Sequence, residues 1–110
     1  MPRRDAAAKR YAQAILAIAE DEGTLDRWAA DLAMLHTLTA EPTVGEFLRS
    51  TKVEEARKHD ILDQGMTGAD PKAVSLAKLL VRKNRIGIVD QIAESFGELL
   101  NVERGIAIGR

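Results

Sequence analysis

The chain of 110 residues has no cysteine, which excludes disulfides, zinc–thiolate sites, iron–sulfur clusters and cysteine nucleophiles together. Aromatic residues make up only 4% of it, so platforms on which nucleic-acid bases could stack are scarce. Net charge is nearly absent: 16 Lys and Arg stand against 17 Asp and Glu, leaving −1. That balance asks for neither nucleic acid nor an anionic membrane. No apolar run approaches the ~20 residues of a membrane span. The basic-then-apolar start is broken by Lys9, Arg10, Tyr11 and Gln13, where a secretory leader would be continuous. An intracellular, cytoplasmic protein with no direct membrane insertion is expected. Three prolines occur, each near a helix start, and no segment alternates long enough to make a strand.

What remains is rich in Ala, Leu, Glu, Lys and Arg, all strong helix formers, at a length suited to one domain with its own core. The punctuation predicts six helices. The first runs from about Arg4 to Glu22 and stops at Gly23. Thr24 caps the second, which reaches Ala40 with Leu25, Trp28, Leu32 and Leu35 on one stripe. Pro42 opens a short third helix, and Thr51-Lys52-Val53-Glu54 forms a capping box for the fourth, ending near Gly65. Asp70-Pro71 starts the fifth, which reaches about Lys83, with Asn84 suited to a left-handed stop. The sixth covers about Ile86 to Arg104. An all-α, compact six-helix bundle over residues 1–104 is the expectation. Residues 105–110 alternate like the first residues of a strand and read as a linker stub.

The catalytic inventory is short. Glu55 and His59, four residues apart, could face one metal, but an exposed helical pair is the ordinary reading. His36 falls on a different helix. Ser50, Ser75 and Ser95 lack a nucleophile elbow, and neither a phosphate-binding loop nor a dinucleotide fingerprint occurs. No catalytic residue, metal site or cofactor is expected. Lys72, Lys78, Arg82, Lys83 and Arg85 crowd the fifth helix and its end, yet no recognition-helix motif accompanies them, so nucleic acid is not the expected partner.

Binding of a helix is better supported. At about 100° per residue, Ala8, Ala12, Ile15, Leu16 and Ala19 form one stripe of the first helix, and Ala7, Tyr11, Ala14 and Ile18 a second beside it. The fifth helix repeats the feature, with Val74, Ala77 and Val81 on one stripe and Leu76, Leu79, Leu80 and the stem of Lys83 beside it. Either helix could be the central one of the core; alternatively, the two wide faces frame a groove for an amphipathic partner helix. Tyr11 fits an interface anchor and a core tyrosine equally well. Arg3 and Arg4 at the start of the first helix, with Glu20, Asp21 and Glu22 at its end, oppose its macrodipole. Neighbouring helices could compensate, or the charges could steer an incoming helix.

Three ordered segments resemble one family. Residues 8–15, AKRYAQAI, are similar to the opening ARRYAQAL of the ATP synthase delta subunit family, which includes the mitochondrial oligomycin-sensitivity-conferring protein. Residues 79–86, LLVRKNRI, resemble its LLVENGRL, and residues 92–105, IAESFGELLNVERG, its IAEQFEELLNEERG. The resemblance implies a six-helix N-terminal domain that clasps the amphipathic N-terminal helix of an alpha subunit between its first and fifth helices. Contacts carried over by position are Tyr11, Ala14 and Ile18 with Leu76, Leu79, Leu80 and Lys83. The implied role is a non-catalytic stator link between catalytic head and peripheral stalk, on the cytoplasmic side of the bacterial plasma membrane. In the family a second, C-terminal domain meets the stalk b subunits, so the resemblance makes this chain a fragment. Arg82-Lys83-Asn84 departs from the family's Glu-Asn-Gly, which bears on the shape of that corner. A stand-alone adaptor holding another amphipathic helix is the alternative.

Overall fold

The computed structural model describes residues 6–103, and all their regular structure is helical. Six α-helices follow in order: α1 (Ala6–Glu22), α2 (Leu25–Ala40), α3 (Pro42–Arg49), α4 (Glu55–Gly65), α5 (Pro71–Arg82) and α6 (Val89–Glu103). A 3-10 turn, Ile86–Ile88, leads into α6, where the sequence predicted a continuous helix. The expected all-α six-helix architecture is observed. The expected starting residues 4–5, the last residue of the sixth helix and the stub at 105–110 lie outside the described residues.

Two helix ends follow from single residues. Gly23 has φ 69°, and the Thr24 and Gly23 N–H groups donate to Ala19 and Glu20 carbonyls. Asn84 repeats this at φ 57°, with Arg85 and Asn84 N–H donating to Leu80 and Val81. Both are Schellman ends, satisfying carbonyls the helix leaves orphaned. The starts are less uniform. The Asp70 carboxylate accepts from the Lys72 N–H at 2.9 Å, as Asp70-Pro71 suggested. Glu41 caps α3 by accepting from Val44 N–H at 2.9 Å. Thr24 precedes α2 as expected, but its buried hydroxyl makes no cap bond. The capping box at Thr51–Glu54 does not form. There the Ser50 hydroxyl accepts from Lys52 N–H at 3.1 Å, which turns the chain, and α4 starts one residue after Glu54.

The core is built around α6, which packs on α1 and α2. Its Val89, Ile92, Phe96 and Leu100 are buried in one core cluster with Ala8, Ala12 and Ala19 of the first stripe of α1. Small side chains at such a crossing let helix axes approach closely. On the other side α5 packs on α4 and α2, burying Ala73, Ala77, Leu80 and Val81. Neither α1 nor α5 is therefore the encircled central helix. The two are not closely packed on each other, and α2 lies beneath the gap between them.

Candidate functional site: an apolar groove between two helices

The gap is an open groove of about 530 Å³. From α1 it is lined by Tyr11, Ala14, Ile15 and Ile18, and from α5 by Pro71, Lys72, Ser75, Leu76 and Leu79. Trp28 of α2, 5% exposed, lines it between them. The helices run in opposite directions, so the start of α1 faces the end of α5. Ile18 is 43% exposed, one of few large apolar side chains left so open among the described residues. Groups of this kind, unpaired along a concave apolar surface, favour a partner that takes them out of water, at ~25 cal/mol per Å² buried.

Five of the seven residues carried over by the resemblance line this groove: Tyr11, Ala14, Ile18, Leu76 and Leu79. Lys83 lines a second depression of about 350 Å³ with Ala7, Arg10 and Arg85. Tyr11 and Ala14 belong to both, so the depression continues the groove past the end of α5. Leu80 is a correction: it is fully buried in the core with Ala73 and Ala77. Adjacent helical residues differ by about 100°, so the rotation that turns Leu79 to the groove turns Leu80 inward. Sequence reasoning missed Trp28, Pro71, Lys72 and Ser75, and placed Ile15 on the first stripe of α1, apart from Tyr11, Ala14 and Ile18. Ile15 follows Tyr11 by four residues and precedes Ile18 by three, the spacing that shares a face. Trp28 carried no such signal, because its position depends on how α2 crosses beneath.

Two polar ties set the groove's geometry at its Ile18 end. Lys72 bridges to Glu22, joining the start of α5 to the end of α1. The Glu22 carboxylate holds the Lys72 ammonium above its ordinary value, chiefly through their hydrogen bond. Asp31 of α2, 3% exposed, accepts from the Asp70 N–H at 3.0 Å and lies 3.4 Å from Arg27. Arg27 in turn donates to the Gly68 carbonyl at 2.9 Å. The loop before α5 is thereby fastened to α2 one turn beyond Trp28.

Two further ion pairs tie α5 to α4. Lys78 pairs with Asp63 at 2.9 Å and Arg82 with Glu55 at 3.4 Å, crossing from α5 to α4. Glu55 also lies 3.3 Å from His59. Among the described residues no group of three or more His, Asp or Glu could hold a metal ion. Nor is any described helix long and apolar enough to cross a membrane.

The family model described as ATP synthase delta (OSCP) subunit matches residues 7–109. The chain is 39% identical over 101 residues to an ATP synthase subunit delta of Dehalococcoides mccartyi, covering 92% of this chain and 56% of that protein. A subunit delta of Oceanobacillus iheyensis is 32% identical over 101 residues, 91% of this chain and 56% of its own. A chloroplastic delta chain of Sorghum bicolor is 29% identical over 109 residues, 97% of this chain and 44% of its own. The chain thus spans about half the length of the curated relatives it matches. A match over nearly every described residue, on a six-helix fold, leaves one conclusion: the chain belongs to the ATP synthase delta (OSCP) subunit family.

Proposed function

We propose that this chain is the head-binding module of an ATP synthase stator, holding the amphipathic N-terminal helix of an alpha subunit in the groove between α1 and α5. The role is mechanical: a non-catalytic link that resists torque while the rotor turns, peripheral to the membrane on its cytoplasmic side in a bacterium. Contact with the peripheral-stalk b subunits is assigned to the part of the relatives that this chain does not match. The observation that carries this reading is the apolar groove itself, framed by Tyr11, Ile18, Leu76 and Leu79, in a chain of this family. A helix laid in such a groove presents anchors at i, i+3, i+4 and i+7. Tyr11 supplies the aromatic type enriched at binding hot spots.

Calorimetric titration with a peptide of the alpha subunit's N-terminal ~20 residues, about 30 Å of helix, tests it. Tyr11→Ala and Leu79→Asp should each weaken binding roughly ten-fold or more, as truncation of hot-spot residues does. Their far-UV circular dichroism should stay that of the parent. Unaltered affinity in both variants would remove the groove from the account; unfolding of both would make these side chains core.

A further inference from the structure

The groove is electrically polar along its length. At the start of α1, Arg10 joins Lys83 and Arg85, and none of the three forms an ion pair among the described residues. All three are exposed on the rim of the depression that prolongs the groove. At the other end Glu22 and Lys72 neutralise each other and exposed Asp21 adds negative charge. From Arg10 to Glu22 the helix rises about 18 Å, roughly twice the ~8 Å screening length at physiological salt. Each end therefore acts on what lies beside it and barely on the other.

Resting on the reading of the groove as a helix site, we infer that it selects the direction of its guest. An amphipathic helix lies with its acidic turn against Arg10, Lys83 and Arg85, whichever terminus that turn belongs to. The guest's own macrodipole does not decide the matter, because it amounts to about half a charge at each end against three whole cations. The host dipoles do not decide it either. The positive start of α1 and the negative end of α5 meet at the same place and largely cancel. Three cations with no carboxylate partner among the described residues, beside an apolar groove, distinguish this end from α5 itself, whose Lys72, Lys78 and Arg82 are all paired.

Two designed peptides of about 18 residues, some five turns, test this on the 110-residue chain. They share one Leu/Ile stripe; one has three Glu in its first turn and three Lys in its last, and the other has the reverse. Each carries a nitroxide on its acidic end, and paramagnetic broadening of the chain's amide signals is read. For both peptides the strongest broadening should fall at Tyr11, Lys83 and Arg85, which requires the two to bind in opposite directions. The Arg10→Gln/Lys83→Gln/Arg85→Gln variant should bind each peptide about ten-fold more weakly at low salt, the sum expected of three exposed pairs. That difference should shrink in 1 M salt, where screening reaches ~3 Å. Broadening at Ile18 and Lys72, or at one chain terminus regardless of charge, with saturable binding, overturns the inference and leaves the groove intact. No binding of either peptide, with the chain dimeric by sedimentation, would place a second copy in the groove and overturn both.

Discussion

Replacing Asp31 by alanine removes a carboxylate that is 3% exposed and accepts from the Asp70 N–H at 3.0 Å. The N–H stays partly buried and loses its acceptor, and Arg27 loses its partner at 3.4 Å. A hydrogen bond to a charged acceptor contributes about 1.5–3 kcal/mol. The ion pair adds little, since Arg27 is half exposed and such pairs contribute at most about 1 kcal/mol. A loss of about 2–3 kcal/mol is expected, or roughly 10–20 °C in Tm for a domain of this size. Asp31→Asn keeps an oxygen that can accept and should lose only about 1 kcal/mol. Urea titration followed by fluorescence of Trp28, the only tryptophan, measures both. Trp28 lies one turn before Asp31 and lines the groove, so loosening of the loop should also lower affinity for the guest. A change under 0.5 kcal/mol in Asp31→Ala would refute the claim that this tie holds α5 to α2.

The remaining predictions concern packing, backbone and charge. Leu80→Ala should lose about 2–5 kcal/mol, whereas Leu79→Ala should lose under about 1 kcal/mol yet weaken guest binding; equal stabilities in urea would contradict the division of α5 into core and groove stripes. Gly45→Ala should destabilise by about 2 kcal/mol or more, because its Cβ would sit 2.5 Å from the Thr39 carbonyl oxygen, where backbone must move. Gly97→Ala, with nothing within 4 Å, should raise stability by about 0.5–1 kcal/mol through helix propensity; thermal melts of both variants decide. The Lys72–Glu22 tie has its lysine pKa raised, so its contribution is fully present below the unfolded value of 10.5 and is lost as pH climbs through the higher folded value. A nitrogen-detected titration of Lys72 should show its midpoint above that of a free lysine, and a midpoint below it would remove the tie.

Much of this architecture is local, and local features are what a sequence exposes. Gly23 and Asn84 stop their helices because only a few residue types accept positive φ, and Asp70-Pro71 starts α5 because the side chain and ring both suit a first turn. The double stripes of α1 and α5 are legible for the same reason, since helical period alone places Tyr11, Ala14 and Ile18 together. Where reasoning failed, a competing local bond or a distant element decided. Ser50 captured the Lys52 N–H and displaced the expected capping box. Leu80 reads with the second stripe of α5 but stands at its edge beside Ala77, and only the position of α2 and α4 tells which side receives it. Trp28, Lys72 and the Asp31–Asp70 bond join residues far apart in the chain. Periodicity carries no information about such partners.

The central claim is that the groove between α1 and α5 receives the alpha subunit's N-terminal helix. An amide-shift titration of the isotope-labelled chain with that peptide tests it most directly. Saturable shifts concentrated at Tyr11, Ala14, Ile18, Leu76 and Leu79 are predicted, with little change along α3 and α4. Absence of shifts at about 1 mM peptide, a concentration matching only ~4 kcal/mol of binding, would contradict it. So would shifts confined to a separate cleft around His36, Arg49 and Asp90.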